Sequence, residues 1–232
     1  QAGARRDPLT LATARLIRAN AESLFGDAAK ANALAKEGRA LLKDAGDPYL
    51  GYWAAITIGV TARGRGHLEE SLASLQDALS FAETVDNPYR RSNALYQLAH
   101  LYLALKQPQN ALDASQQAFR YAEAASNALG MAKARMAESA ALELLNDPVR
   151  ELAALEDALA IARKARSKVA ESLALINLAD IRLRRRQYAE ALDLSRRSLA
   201  LAREFDDAGA MATSKANMGF ALFGLGRTAE GK

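Results

Sequence analysis

A forty-residue repeat runs through most of the chain and strongly limits what it can fold into. Short polar residues, which suit turns and helix N-caps, recur at this step. They are Asp47, Asn87, Asn127, Ser167 and Asp207. A second ladder interrupts the apolar helical pattern between them and consists of Gly26, Gly66, Lys106, Asn146, Arg186 and Gly226. Each period is therefore predicted to hold two helices and two turns.

Apolar and small residues follow the same step, as a shared packing interface requires. The three clearest sets are Leu72, Leu112, Leu152 and Leu192; Ala78, Ala118, Ala158 and Ser198; and Ala82, Ala122, Ala162 and Ala202. Alternating large and small residues let neighbouring helices interlock. The 232 residues include 53 Ala and 35 Leu but only 10 Val plus Ile, which favours helices over strands. The predicted fold class is all-α, built from stacked helical hairpins.

The first helix of each hairpin carries a large residue followed by a very small one. These pairs are Ile58 with Gly59, Leu98 with Ala99, Leu178 with Ala179, and Met218 with Gly219. Together with the segment NLADIRLRRRQYAEALDLSRRSL at 177–199, this pattern resembles the tetratricopeptide repeat. The resemblance implies a right-handed α-solenoid, or superhelix, of antiparallel helix pairs. The period of 40 residues, against about 34 in the common repeat, is similar to the long-helix variant of bacterial regulatory and signalling proteins.

About five and a half repeats are expected in one solenoid domain, residues 8–232, after an N-terminal tail at 1–7. Their approximate boundaries are 8–47, 48–87, 88–127, 128–167, 168–207 and an incomplete 208–232. The sequence stops where the second helix of the last hairpin should begin. We therefore expect the native protein to continue past Lys232 into a capping helix.

Two repeats depart from the pattern. Glu138 and Ser139 replace the large and small pair of the fourth repeat. A carboxylate at a packing position must find a partner, turn outward or distort the helix. In the first repeat, Asn32 and Arg39 stand where later repeats carry Leu. Terminal repeats are often atypical because they cap the stack.

Binding residues are implied by the resemblance, because such arrays use the first helix of each hairpin to line a concave groove. The groove residues carried over are Asn93, Tyr96, Gln97, His100, Lys133, Met136, Asn177, Asp180 and Asn217. Trp53, Ile56 and Thr57 occupy equivalent positions, but Trp53 is expected in the core because large aromatic residues are mostly buried. Gln97, Asn177 and Asn217 share one repeat position. Their amides either hold a peptide backbone or are simply solvated.

A basic run is the strongest local charge feature. Arg182, Arg184, Arg185 and Arg186 form a candidate patch for an acidic partner. The alternative is that these cations simply gather at the end of a helix, where the dipole favours them.

Enzyme signatures are mostly absent. The two His residues, His67 and His100, have no second ligand at metal-site spacing, and there is no Cys to act as a nucleophile or a zinc ligand. No Ser lies in a nucleophile elbow. The prediction is a protein that is not an enzyme and has no metal and no cofactor.

A non-catalytic module that binds a protein or peptide segment is the predicted function. The family likeness implies the sensing or interaction region of a larger bacterial signalling protein, for example ahead of a diguanylate cyclase output domain. The alternative is a free-standing adaptor or assembly scaffold. The net charge of +4 is too small to predict nucleic-acid binding, and no segment is apolar enough to predict membrane contact. Periplasm and cytoplasm both remain open, as does the oligomeric state.

Overall fold

The computed structural model describes residues 7–43, 46–227 and 230. This part of the chain contains no strand and forms eleven helices. They are α1 Pro8–Phe25, α2 Ala28–Leu41, α3 Pro48–Gly64, α4 Leu68–Thr84, α5 Pro88–Ala104, α6 Pro108–Ala124, α7 Ala128–Leu144, α8 Pro148–Lys164, α9 Lys168–Arg184, α10 Tyr188–Glu204 and α11 Ala208–Gly224. The all-α prediction is confirmed. Apart from Asp7, the predicted tail at 1–7 lies outside the described residues, as do four residues of the last repeat.

The polar ladder marks where the first helix of each pair begins. The side chain of Asp47 accepts hydrogen bonds from the backbone N–H groups of Tyr49 and Leu50, at 2.8 and 3.1 Å. Its four counterparts each accept one such bond at the start of α5, α7, α9 and α11. These bonds satisfy N–H groups that have no partner inside the helix. The expected N-caps are confirmed.

The second ladder marks where the helices end. A residue with positive φ recurs every 20 positions from Gly46 to Gly226, and seven of these are not glycine. From Gly66 onwards, the residue after each of these positions donates its N–H to a carbonyl five residues back, as Gln107 does to Tyr102 at 2.9 Å. This left-handed C-cap closes the helix and turns the chain. Gly26 is the exception, because its φ is −142°.

The chain divides into two compact units, one ending at Tyr121 and the other beginning at Ala122. In the first unit, α1 packs on α2 and α3 packs on α4. In the second unit, α7 packs on α8 and α9 packs on α10. The first helices of neighbouring pairs also touch, as α1 does with α3 and α9 with α11. The helical hairpins are therefore present, whereas the single solenoid domain across 8–232 stays a prediction.

The small positions of the second helices are fully buried. Ala78, Ala118, Ala158 and Ser198 have no exposed surface, and neither do Ala82, Ala122, Ala162 and Ala202. Ser92 of α5 donates to the carbonyl oxygen of Ala118 on α6 at 2.9 Å. This bond requires the two helix backbones to lie close together, which a small side chain permits.

Ala118→Leu should therefore overpack the α5–α6 hairpin. We expect a loss of about 1–3 kcal/mol in the free energy of unfolding, because three added heavy atoms must enter filled space. Urea unfolding followed by circular dichroism measures the loss. Ala160→Leu is the control, since Ala160 is exposed on α8. Equal midpoints for the two variants would contradict the assignment.

The two irregular repeats satisfy their buried polar groups internally. Glu138 is buried, and its carboxylate accepts a hydrogen bond from Arg135 at 2.7 Å. Arg135 also donates to Asp157 of α8 at 2.7 Å. Helix α7 runs without interruption through Glu138 and Ser139, so a partner, and not a distortion, accommodates the carboxylate. Asn32 is likewise buried and donates to the hydroxyl of Thr61 at 3.1 Å.

Two kinds of feature are missing from the described residues. None of the described helices combines the length and apolarity that crossing a bilayer needs. No group of three or more His, Asp or Glu side chains among them could hold a metal ion.

Candidate functional site

A cavity of about 520 Å³ lies in the first unit against α1, α3 and α5. Its size is that of a small-ligand or side-chain pocket. The lining residues are Asn20, Tyr52, Trp53, Ile56, Thr57, Asn87, Tyr89, Arg90 and Asn93. Four of them, Trp53, Ile56, Thr57 and Asn93, stand at the groove positions that the sequence predicts. We refer to this space as the aromatic cavity.

Trp53 lies on the wall of the aromatic cavity with 42% of its surface exposed. The prediction that it is a core residue is therefore wrong. Ala54 and Ala55 are completely buried, and one helical step of about 100° turns residue 53 away from that side. The indole is thus available for contact.

A cation stacks on two tyrosine rings beside the cavity. The guanidinium carbon of Arg90 lies 5.0 Å from the ring centre of Tyr49 and 4.8 Å from that of Tyr52, which is the range of cation–π attraction. Asn93 donates to the Tyr52 hydroxyl at 2.8 Å. Burial raises the pKa of Tyr52, although the Asn93 hydrogen bond and the charge of Arg90 oppose the rise. Tyr52 is therefore neutral at physiological pH.

The remaining predicted groove residues of α5 are half-buried and in contact with other side chains. The rings of Tyr96 and His100 meet edge to face with centres 4.6 Å apart. Arg63 of α3 donates to both the backbone and the side-chain oxygen of Gln97, each at 3.1 Å. The Gln97 amide thus joins two first helices of the repeat. Burial lowers the pKa of Arg63 and raises that of Tyr96.

Predicted groove residues of the second unit lie on α7, α9 and α11. Asn177 donates to the sulfur of Met136 and to the carbonyl oxygen of Leu173, both at 3.1 Å. Asn217 is buried and lies 3.4 Å from the carbonyl oxygen of Ile176. The amide of Asn177 therefore bonds both to α7 and within its own helix α9, and the amide of Asn217 on α11 faces the backbone of α9.

The two charged groove residues of the second unit differ in exposure. Lys133 of α7 is half-buried, whereas Asp180 of α9 is exposed. Asp180 pairs with Arg184 of its own helix at 3.1 Å. Its charge is therefore partly compensated without a ligand.

The basic run at the end of α9 has internal partners. Arg182 pairs with Glu190 at 3.2 Å and bonds to Gln187 at 2.9 Å. Arg185 donates to the carbonyl oxygen of Pro148 at 2.9 Å. Arg186 holds one of the left-handed turns, with φ of 59°. Docking of an acidic partner here stays a prediction, and these contacts reduce the charge that a partner would meet.

Arg184 has the largest set of partners in this run. Its guanidinium reaches Glu151 at 2.5 Å, Glu143 at 3.0 Å and Asp180 at 3.1 Å. Burial disfavours its charge, but the hydrogen bond to Glu151 and the nearby carboxylates outweigh this and raise its pKa. The arginine therefore serves the packing of α7, α8 and α9.

A second cavity of about 590 Å³ lies between α2, α3 and α4. Its charged side chains are largely compensated, since Lys36 pairs with Glu70 and Arg39 reaches Asp77 at 2.6 Å. The glycine at its wall, Gly51, leaves room for the Phe81 ring, which would lie 2.8 Å from an added Cβ.

Sequence reasoning missed five residues of the aromatic cavity: Asn20, Tyr52, Asn87, Tyr89 and Arg90. Two of them carry a signal. Tyr52 stands where the later repeats have Ser92, Ala132, Ser172 and Ala212, and Arg90 stands where the others have Leu50, Gly130, Ala170 and Ala210. A large or charged residue at a repeat position that is otherwise small or apolar indicates that the position does more than pack neighbouring helices together in that repeat.

No family model and no curated protein matches this sequence. Solved structures do match its fold. One is a Rap protein complexed with competence and sporulation factor, with a TM-score of 0.82 and 16% identity over 97% of this chain and 63% of that one. A second is NprR in complex with its cognate peptide NprX, with a TM-score of 0.69 and 14% identity over 96% and 64%.

A third match consists of TPR-like repeats. It is a putative kinesin light chain from Podosopora anserina with nearly identical TPR-like repeats, with a TM-score of 0.65 and 16% identity over 88% of this chain and all of that one. The present chain spans slightly less than two thirds of the Rap and NprR chains. The expected resemblance is confirmed at the level of the fold: this chain adopts the helical-repeat fold of tetratricopeptide-like arrays.

Proposed function

We propose that this chain is a non-catalytic module that binds a peptide or protein segment, and that the aromatic cavity receives part of that segment. The observation that carries the proposal is the exposed Trp53 on the wall of a cavity whose lining also includes three asparagines, of which Asn87 and Asn93 each use one amide atom internally. Aromatic side chains supply contact area at low entropic cost, and they dominate binding energy at interfaces. Amides can donate to and accept from an extended backbone.

Two structures with this fold support the proposal, because each contains a bound factor or peptide. The Rap protein is complexed with competence and sporulation factor, and NprR is complexed with its cognate peptide NprX. The same fold could place the present chain within a larger bacterial signalling protein, as a sensing region ahead of an output domain such as a diguanylate cyclase. A free-standing adaptor would use the same binding step without an output.

The remaining predicted groove residues have a supporting part in the proposal. Gln97, Asn177 and Asn217 each bond to a neighbouring first helix or face its backbone. Gln97 would hold α3 and α5 in place near the aromatic cavity, whereas Asn177 and Asn217 would hold the first helices of the second unit together. Ligand contact would fall to the exposed residues near Trp53.

Trp53→Ala should abolish most binding of the natural partner. We expect at least a tenfold loss of affinity, which corresponds to about 1.4 kcal/mol or more, because the ligand would bury the Trp53 ring in the complex. The measurement is a quantitative pull-down from a lysate of the source cells, read by mass spectrometry and followed by binding assays with the purified partner. Val149→Ala is the control, because Val149 is an exposed apolar residue of α8 outside the cavity.

Both variants must retain the helicity of the parent by circular dichroism. Partners retained by the parent and by Val149→Ala but lost by Trp53→Ala would support the cavity as the binding site. Retention of the same partners at the same affinity by Trp53→Ala would reject it.

A further inference from the structure

The aromatic cavity has an unbalanced charge. Arg90 is the single ionised side chain among its lining residues, and none of them is acidic. Within the described residues, its guanidinium lies over Tyr49 and Tyr52 and forms no ion pair. A cation at a cavity wall without a counter-ion attracts an anionic ligand.

The neighbouring residue Arg91 is an arginine whose partners are all internal to the protein. Arg91 pairs with Asp86 at 3.0 Å and donates to the carbonyl oxygen of Glu83 at 3.2 Å. Its guanidinium carbon also lies 5.4 Å from the ring centre of Tyr121. Arg91 therefore has both an acid and a carbonyl as internal partners, whereas among the described residues the guanidinium of Arg90 has the two rings alone.

Stacking on aromatic rings prepares Arg90 for a planar acceptor. The guanidinium carbon lies over both rings, and a guanidinium carries its N–H donors in the plane of the group, at its edge. A carboxylate matches those donors with two parallel hydrogen bonds. Arg90 is also half-buried and lies in the first turn of α5, where the helix dipole favours a negative charge.

An apolar contact lies in the same cavity. Trp53 and Ile56 line it together with Arg90. A cavity of about 520 Å³ is large enough for two adjacent side chains. The ligand should therefore combine an apolar group with a carboxylate.

We propose that the aromatic cavity selects a peptide in which a carboxylate lies beside an apolar side chain, the carboxylate binding Arg90 and the apolar side chain packing on Trp53 and Ile56. The inference rests on the proposed peptide-binding function and adds the chemistry of the ligand. The carboxylate comes from an Asp or Glu side chain or from the peptide C-terminus, and the experiment below separates these two sources.

Trp53 provides the readout, because it is the only tryptophan of the chain and lines the cavity. The probes are positional-scanning pools of acetylated hexapeptides without tryptophan, made once with amidated and once with free C-termini. We expect pools with Asp or Glu beside Leu or Phe, or with a free C-terminal carboxylate, to change the Trp53 emission. Exchanging the acid of the best amidated peptide for its amide, or amidating the best free-terminus peptide, should weaken binding at least tenfold.

Arg90→Gln should remove this preference for the acid. The matched control is Arg120→Gln, which removes the same charge from an exposed position of α6 outside the cavity lining, and it should keep the preference. Equal binding of acid and amide peptides by the parent would overturn the inference while leaving peptide binding intact. If Arg90→Gln kept the same preference for acid over amide peptides, the role of Arg90 would be overturned, and peptide binding itself would again remain intact.

Loss of the fold in Arg90→Gln would still leave a test in the parent protein. The preference for acid over amide should shrink as salt is added, since an ion pair at a half-exposed site is screened. A salt-independent preference would overturn the role of Arg90. If no pool changes the emission of Trp53 or binds in a competition assay, the proposed function itself fails.

Discussion

Arg184→Met should destabilise the second unit by about 2–3 kcal/mol. The carboxylate of Glu151, whose side chain is only 6% exposed, would lose its partner, and Glu143 and Asp180 would lose a shared cation. Removing one partner of a fully buried pair costs about 3–5 kcal/mol. The cost should be smaller here because the Arg184 side chain is 40% exposed and water screens part of the charge.

Urea unfolding and hydrogen exchange measure this effect. We expect a lower midpoint and faster exchange in α8 and α9, whose contacts Arg184 bridges. Arg197→Met is the control, since Arg197 pairs only at 3.7 Å with Asp193 and both side chains are well exposed. A midpoint for Arg184→Met as high as that of Arg197→Met would contradict the structural role of Arg184. Adding Glu151→Met to Arg184→Met should recover stability, because no unpaired buried carboxylate remains.

Gly59→Leu should destabilise the first unit by about 3 kcal/mol, the upper end of the range for overpacking. A Cβ at Gly59 would lie 2.6 Å from Cγ and 2.7 Å from Cδ2 of Leu75 on α4. Leu75 is fully buried, so it has little room to move. The loss is measured as a shift in the urea midpoint of the first unit, followed by Trp53 fluorescence.

Gly59→Ala should also lose stability, because the close contact with Leu75 outweighs the gain of about 0.5–1 kcal/mol that alanine brings in helix propensity. Gly64→Ala is the control, since Gly64 is exposed at the end of α3 and a Cβ there meets no neighbouring side chain or helix within 4 Å. Stabilisation of Gly59→Ala to the same extent as Gly64→Ala would contradict the close approach of α3 and α4.

Features with local causes could be predicted from the sequence. Asp47 and its counterparts cap helices because the backbone N–H groups they bind are two or three residues away. The burial of alanines such as Ala78 follows from the repeat step, because every hairpin needs a small residue at the same position where its two helices lie close together. The helix boundaries depend on these N-caps and on the left-handed turns at residues such as Gly66 and Lys106, and the hairpin pairing depends on the small buried positions.

Features with distant causes could not be predicted from the sequence. Arg184 and Glu151 are 33 residues apart, and nothing in a one-dimensional pattern links them.

The partner of Glu138, by contrast, has a local cause. Arg135 lies three residues earlier on the same helix, and side chains at positions i and i+3 of a helix are neighbours. This ion pair can therefore be predicted from the sequence.

The candidate site was predicted only in part. Four of the nine lining residues of the aromatic cavity stand at predicted groove positions. Trp53 was misplaced because average burial says little about one residue whose neighbours, Ala54 and Ala55, already fill the core side. Arg90 was missed because it lies in the first turn of α5, ahead of the positions that the repeat resemblance supplies.

Peptide binding at the aromatic cavity can be measured on the isolated chain. Peptides are selected from a random display library on the immobilised protein and titrated against the emission of Trp53. We expect selected peptides to shift this emission to shorter wavelength as the indole is covered, and to bind Trp53→Ala at least tenfold more weakly than they bind the parent. Selected peptides that bind both proteins equally, with no change in the emission of Trp53, would contradict binding at the aromatic cavity.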